Sequence, residues 1–86
     1  MDKVIKLVME NDKSIRIYVN NQDTHLIEAK NRSIKADKIY QIMDFNLGDH
    51  YTVESSNESG VDNQVLMFFE KLISDIADKI NAIAID

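Results

Sequence analysis

The sequence has no cysteine, no proline and no tryptophan, and it has only two glycines among its 86 residues. Without cysteine, the chain can form no disulfide framework, no thiolate metal site and no cysteine nucleophile. Its stability must therefore come from a hydrophobic core, and its length is near the lower limit for folding without metals or disulfides. We expect residues 1–86 to form a single α+β domain, because no linker or internal repeat divides them.

The sequence also lacks a long apolar run. No stretch approaches the roughly 20 apolar residues that a membrane-spanning helix needs. The N-terminus, MDKVIKLVMEND, is too short and too charged for a signal peptide. We therefore expect no membrane association and a cytoplasmic protein. Abundant Ile, Asn and Lys with few Gly, Ala and Arg are typical of AT-rich coding, which suits a low-GC bacterium or a phage-infected host cell.

Basic residues are missing from one long stretch of the chain. Between Asp44 and Glu70 there is no lysine or arginine, whereas acidic residues recur every four to eight positions. Residues 1–43 carry eight basic and six acidic residues, and residues 44–86 carry nine acidic residues and two lysines, for a net charge of −5. This charge argues against non-specific attraction to nucleic acid or to an anionic membrane.

Four segments have the alternating apolar pattern of β-strands. They are predicted at residues 3–9, 14–20, 24–30 and 50–55. The first two form a hairpin with Ile5, Leu7 and Met9 on one face of the first strand. The third strand could turn either its odd-numbered or its even-numbered residues inwards, and we favour the odd set. That set is His25, Ile27 and Ala29.

Two segments have helical spacing. For the first helix we predict Ser33 as the N-cap, with Asp37 as a competing start, and Gly48 as the residue that closes it. For the second we predict residues 63–85, with Asp62 as the N-cap. Its apolar stripe is Val65, Phe69, Leu72, Ile76, Ile80 and Ile83, and Leu66, Ile73, Ala77 and Ala84 lie beside the stripe.

These elements predict an α+β fold: a small two-layer domain with the order β-β-β-α-β-α. We expect a mostly antiparallel sheet with both helices on its apolar face, the second being a long C-terminal helix. The helical connection is long enough for the fourth strand to lie parallel to its neighbour. The pattern leaves open which strand that neighbour is.

The long helix has more apolar surface than the domain should cover. About 22 helical residues span some 33 Å, whereas a seven-residue strand spans only about 23 Å. The helix should therefore extend past the sheet and expose apolar side chains, which usually mark an interface. We expect a homodimer or another protein partner along this helix, unless the first helix covers the excess. The residues assigned to this surface are Met67, Phe68, Ile76, Ile80 and Ile83.

No cofactor, metal site or catalytic site is predicted. His25 and His50 are the only histidines, and their spacing from nearby carboxylates matches no metal-ligand pattern. A domain of this size rarely holds the desolvated cleft that catalytic carboxylates require. We expect that the protein is not an enzyme.

A basic cluster surrounds the predicted start of the first helix, where free amides and the helix dipole favour anions. Its members are Lys30, Arg32, Lys35 and Lys38. The cluster predicts an alternative function as a small nucleic-acid or phosphate-binding protein. Against this alternative, the chain has no glycine-rich loop and no aromatic ladder that would stack bases.

The acidic stretch gives the main functional hypothesis. Its spaced carboxylates can form a surface complementary to a basic groove, although they can also simply keep the protein soluble. The residues assigned to this acidic face are Asp44, Asp49, Glu54, Glu58 and Asp62. In size and charge the chain resembles small acidic α+β proteins of phages and mobile elements, including inhibitors of CRISPR nucleases. The resemblance implies a non-enzymatic inhibitor or accessory protein of a larger nucleic-acid-handling enzyme. A structural homodimeric subunit is the other alternative.

Overall fold

The computed structural model describes residues 1–29 and 32–84, except for the side chain of Ala84. It has four strands and two helices in the predicted order β-β-β-α-β-α. The elements are β1 (Asp2–Met9), β2 (Ser14–Val19), β3 (Gln22–Glu28), α1 (Ala36–Ile42), β4 (His50–Asn57) and α2 (Gln64–Ala84). The small α+β fold with a long C-terminal helix is confirmed.

The strands form one mixed sheet with the order β3-β2-β1-β4. The pairs β1–β2 and β2–β3 are antiparallel, whereas β4 lies parallel to β1. β4 is therefore an edge strand that pairs with the first strand of the chain.

Asparagines form both hairpin turns. Between β1 and β2, Asn11 Oδ1 accepts the main-chain N–H groups of Lys13 and Ser14 at 2.8 and 3.0 Å. Between β2 and β3, Asn20 and Asn21 have φ angles of 50° and 68°. A two-residue hairpin turn of type I′ requires positive φ at both positions, and asparagine tolerates it better than most residues.

Both helices cover the same face of the sheet. The strand residues of this core are Ile5, Leu7, Met9, Ile15, Ile17, Val19, Ile27 and Tyr51. Ala29 follows β3, and the helix residues include Ile39, Ile42, Phe69 and Ile73. The inward set favoured for β3 is confirmed, since Ile27 and Ala29 are buried while Leu26 is exposed. His25, the third member of that set, is half-buried.

The other face of the sheet is not covered by either helix. Val8 is buried on it, whereas Val4 and Leu26 are exposed. Arg16 crosses this face and forms ion pairs with Glu10 at 2.9 Å and Asp23 at 2.7 Å. Because these side chains are partly or largely exposed, the pairs contribute little to stability.

α1 is shorter than predicted, and neither Ser33 nor Gly48 bounds it. The N-cap position is Lys35, which provides no side-chain hydrogen bond to the first turn. Gly48 has a φ of 99°, but it lies in the turn before β4. Leu47, which was expected in the helix, is exposed.

A C-terminal motif around Asp44 explains the early end of α1. The Asp44 N–H donates to the Gln41 carbonyl and the Phe45 N–H donates to the Tyr40 carbonyl, both at 3.1 Å. This is the Schellman pattern, and Asp44 has the left-handed conformation that glycine usually takes there, with a φ of 52°. The rings of Tyr40 and Phe45 pack edge to face at 5.3 Å, which provides the apolar contact of this motif.

α2 is amphipathic, but its buried face is rotated from the predicted stripe. The N-cap position is Asn63, one residue after the predicted Asp62, because the Asn63 carbonyl accepts the Met67 N–H at 2.8 Å. The Asp62 carboxylate still caps the helix from the preceding position by accepting the Gln64 N–H at 3.0 Å. The buried residues are Leu66, Phe69, Ile73, Ala77 and Ile80, and the half-buried apolar residues beside them are Val65, Leu72 and Ile76. Of the helices that the structure describes, neither has the length and apolar character needed to cross a membrane.

Candidate protein-binding surface

The N-terminal end of β4 lies beside a buried ionic cluster. Lys3 of β1 points to the helix side of the sheet, and its Nζ lies 2.9 Å from Asp49 Oδ2. The same Nζ donates to the Asp44 main-chain oxygen at 2.6 Å and lies 3.3 Å from the Asp44 carboxylate. Asp49 Oδ2 has no well-directed hydrogen-bond donor among the described residues, so its contact with Lys3 is mainly electrostatic.

The cluster holds both charges in their ionised forms. The contact with Lys3 lowers the pKa of the Asp49 carboxyl, and this outweighs burial, which raises it. For Lys3, burial lowers the pKa, but the contacts with Asp49 and Asp44 together raise it above its ordinary value. The Met1 ammonium adds a further cation 3.4 Å from Asp49.

This cluster corrects the prediction for Asp49. Its side chain belongs to the interior, because the residue is only 5% exposed and is neutralised by Lys3. It therefore cannot be part of an exposed acidic face. Asp44 keeps an exposed carboxylate, but that carboxylate also contacts Lys3. No local sequence pattern indicates this pairing, because Lys3 is far from both acids along the chain.

Hydrogen bonds from Tyr51 fix the same end of β4. The Tyr51 hydroxyl donates to the Asp44 main-chain oxygen at 3.1 Å and accepts the Asn46 N–H at 2.9 Å. On the outer edge of β4, the Asn81 side chain of α2 accepts the Tyr51 N–H and donates to the Tyr51 carbonyl, each at 2.8 Å. Asn81 thus takes the place of a neighbouring strand at this residue, a role that sequence analysis missed.

The remaining predicted acidic residues lie towards the other end of β4. Glu54 projects from β4 beside Lys6 of β1 in the sheet register, on the face away from the helices. Glu58 follows the strand, and Asp62 caps α2 a few residues later. All three are exposed. The structure therefore brings Glu58 and Asp62 to one end of the sheet and leaves Asp44 at the opposite end.

Glu70 joins this group, although it was not assigned to the acidic face. It lies in the second turn of α2, is half-buried, and its carboxylate accepts a hydrogen bond from the Ser55 hydroxyl. The sequence signal was present, because Glu70 ends the stretch without basic residues. We define Glu54, Glu58, Asp62 and Glu70 as the acidic surface.

The apolar surface predicted on α2 is only partly exposed. Met67 is 62% exposed, Phe68 39% and Ile83 68%, whereas Ile76 is half-buried. Ile80 corrects the prediction, since it is 4% exposed and belongs to the core. It is covered because the adjacent Asn81 binds Tyr51 of β4, so this turn of α2 still lies over the sheet. Ile83, one turn later, is exposed.

The predicted basic cluster is described only in part. Lys30 lies outside the described residues, and Arg32, Lys35 and Lys38 are exposed. α1 has only seven residues, and its first turn carries the acidic Asp37. So short a helix with an acid at its start provides little attraction for an anion.

The two histidines do not meet in the fold. His25 is in β3 and His50 is in β4, on opposite edges of the sheet. Within residues 1–29 and 32–84, no three His, Asp or Glu side chains gather where they could hold a metal ion. Comparisons with protein-family models, curated proteins and solved structures find no match to this chain.

Proposed function

We propose that this chain is a non-enzymatic protein-binding module that acts through its acidic surface. The proposed partner is a larger nucleic-acid-handling enzyme, which the protein inhibits or assists, as phage and mobile-element anti-defence proteins such as CRISPR inhibitors do. The supporting observation is that no lysine or arginine forms an ion pair with Glu54, Glu58, Asp62 or Glu70 in the described part of the chain.

Unpaired carboxylates favour this role for an electrostatic reason. Carboxylates that already have an intramolecular cation gain little from a second one, whereas unpaired ones attract a basic groove and accelerate encounter with it. A basic groove that normally binds DNA or RNA has the complementary charge. The proposal places the protein in the cytoplasm of a bacterial cell or of a phage-infected host, where such enzymes work.

A pull-down from host lysate, with tagged wild-type protein and charge-reversal variants, tests the proposal. We expect wild-type protein to retain a partner that competing DNA or RNA releases, and the Glu54→Lys/Glu58→Lys variant to lose it. The control variant Asp12→Lys/Glu28→Lys makes the same change in net charge at other exposed positions and should retain the partner. Equal capture by all three proteins would refute the proposal.

A binding assay with purified protein and labelled DNA or RNA tests the nucleic-acid-binding alternative. If the basic cluster is the functional site, the purified protein should bind labelled DNA or RNA at low salt. The Arg32→Glu/Lys35→Glu variant should then lose this binding, and Glu54→Lys/Glu58→Lys should strengthen it.

Exposed apolar residues on α2 support a second candidate, a homodimer. Met67, Phe68 and Ile83 are large apolar side chains in contact with solvent. Their burial between two copies would remove this surface from water. Sedimentation analysis tests the candidate, and a protein that stays monomeric at tens of micromolar would exclude it. If the dimer forms, Phe68→Ser should weaken it.

A further inference from the structure

The outer edge of β4 has main-chain groups that nothing in the described residues occupies. At the two ends of the β1–β4 ladder, the His50 N–H donates to the Met1 carbonyl at 2.9 Å and the Glu58 N–H donates to the Met9 carbonyl at 2.8 Å. In a parallel pair, alternate residues of a strand bond to the same neighbour. The even-numbered residues of β4 therefore bond to β1, and the odd-numbered residues direct their N–H and C=O groups outwards.

Of the four outward positions, Tyr51 is closed by side-chain hydrogen bonds, and Asn57 adjoins the loop that follows β4. Asn81 binds both main-chain groups of Tyr51. At the other end, the Asn57 side chain folds the loop back by donating to the Val61 carbonyl and accepting the Ser59 N–H. Val53 and Ser55 lie between these positions, and in the described chain their outward N–H and C=O groups have no partner.

The side chains around this open edge fit an added strand. On the helix side, a shallow depression beside the edge is lined by Ser55, Val61, Met67 and Glu70. Val61 and Met67 are exposed there. On the opposite side of the sheet, Glu54 projects from β4, and Glu58 follows four residues later in a depression that Lys6 and Val8 of β1 also line. Successive residues of a strand point to opposite faces, so an added strand would contact Val61 and Met67 together with polar Ser55 and Glu70 on one side, and Glu54 and Glu58 on the other.

The charged side chains around the open edge of β4 indicate which kind of strand could bind there. Residues 39–70 contain no lysine or arginine, and Lys6 of β1, which lies beside Glu54 in the sheet register, forms no ion pair with Glu54 or Glu58 in the described part of the chain. A second copy of this chain is unfavourable here, because antiparallel pairing that joins Val53 to Ser55 would place Glu54 directly opposite Glu54 of the other copy. A segment carrying cations at alternate positions has the complementary pattern.

We propose that a basic, extended segment of the protein partner adds to the open edge of β4 as a fifth strand. Its main chain bonds to Val53 and Ser55. Its lysines or arginines face Glu54 and Glu58, and its intervening apolar residues face Val61 and Met67. This inference rests on the proposed function and specifies how the acidic surface recognises its partner.

The probe is a synthetic peptide of about eight residues in which lysine alternates with valine, long enough to cover the open edge. The variant Ser55→Pro removes one outward N–H and leaves the bonds to β1, because proline is tolerated at outward positions of an edge strand. We expect it to weaken peptide binding at least about tenfold, the effect of losing roughly 1.4 kcal/mol. Ser55→Ala keeps the N–H and should bind as wild type does.

Amide NMR spectra of the wild-type protein provide a test that needs no variant to fold. Adding the lysine peptide should shift the Val53 and Ser55 amide signals and slow their hydrogen exchange. A peptide with glutamate in place of lysine should shift neither. Edge binding is overturned if Glu54→Lys/Glu58→Lys weakens peptide binding while these two amides and Ser55→Pro show no effect. In that result the acidic surface still binds basic partners, and the proposed function stands.

Discussion

The two ends of β4 contain similar residues but use them differently. At the N-terminal end, two carboxylates share the buried Lys3, and Asn81 occupies the main-chain groups on the outer edge. Towards the C-terminal end, Glu54 and Glu58 have no ion pair and the outer edge is open over the described residues. The density of acidic residues along the sequence is similar at both ends. The difference is the position of the buried Lys3, which pairs with Asp44 and Asp49 but is not close to Glu54 or Glu58.

The largest expected effect comes from removing the structural carboxylate. Asp49→Ala leaves the buried Lys3 with the Asp44 main-chain oxygen and the exposed Asp44 carboxylate but without its buried counter-charge, and breaking a buried pair is strongly destabilising. We expect the melting temperature to fall by at least about 10 °C in a domain of this size. Glu58→Ala should change it by only about 2 °C, since exposed substitutions have small effects.

A double variant sharpens this contrast. Lys3→Met/Asp49→Leu replaces both charges with apolar groups, and we expect it to be more stable than Asp49→Ala because no buried charge is left unpaired. Calorimetry gives the melting temperatures of wild type, Asp49→Ala, Glu58→Ala and the double variant. Equal melting temperatures for Asp49→Ala and Glu58→Ala would show that the two ends of β4 do not differ as described.

The same cluster gives stability a defined pH dependence. Because folding lowers the pKa of Asp49, its stabilising contribution is present above the ordinary value of 3.8 and is lost as the pH falls below it. Because folding raises the pKa of Lys3, its contribution is present below 10.5 and is lost as the pH rises above that value. Urea unfolding of wild type and Asp49→Ala across this range should show their largest difference between these limits. A constant difference down to pH 2 would contradict the role given to Asp49.

Variants of Asn81 test whether its side chain closes one end of the outer edge of β4. Asn81→Ala removes two hydrogen bonds to Tyr51 and should lower the free energy of unfolding by about 1–2 kcal/mol, because water can replace part of the loss. Asn81→Asp keeps the acceptor for the Tyr51 N–H but places a carboxylate oxygen where the amide donated to the Tyr51 carbonyl, so repulsion between these oxygens should make it at least as destabilising as Asn81→Ala. Asn81→Ala also lengthens the open edge by one residue pair and should strengthen binding of the lysine peptide. Weaker peptide binding by this variant would contradict that picture.

The smallest effect is expected at Asp62, whose carboxylate both caps α2 and belongs to the acidic surface. Asp62→Ala removes the side-chain acceptor for the Gln64 N–H and should cost about 1 kcal/mol in a urea titration. Asp62→Asn keeps the capping oxygen and removes the charge, so its stability should stay within about 0.5 kcal/mol of wild type. If Asp62→Asn were as unstable as Asp62→Ala, its charge and not its cap would be the stabilising feature.

The sequence predicted the parts of the fold that depend on local patterns. Alternation located all four strands, and helical periodicity located α2, because each pattern follows from which side of an element faces the core. The end of α1 was wrong because Asp44 adopts a conformation that sequence reasoning assigns to glycine. Lys3 and Tyr51 both donate hydrogen bonds to the main-chain oxygen of Asp44. These contacts help to hold Asp44 in its left-handed conformation, and a local pattern around Asp44 does not reveal them.

The candidate surface was predictable to the same extent. Exposed charge at Glu54, Glu58 and Asp62 agrees with the acidic pattern of the chain. The burial of Asp49 and Ile80 could not be predicted, because each depends on the alignment of elements from different parts of the chain. The open edge of β4 was equally hidden, since the sequence did not show which strand would pair with it.

The parallel pairing of β4 with β1 also determines the order in which the strands of the sheet can pair during synthesis. β1 pairs with β2 within the first 19 residues, but its other side pairs Asp2 with His50 and Met9 with Asn57. During synthesis, the apolar meander made of the first three strands must wait for a much later segment before this side is filled. A chain that stops before residue 50 would display an unprotected strand with only the short α1 available to cover its core, and such fragments should aggregate rather than persist as a smaller fold.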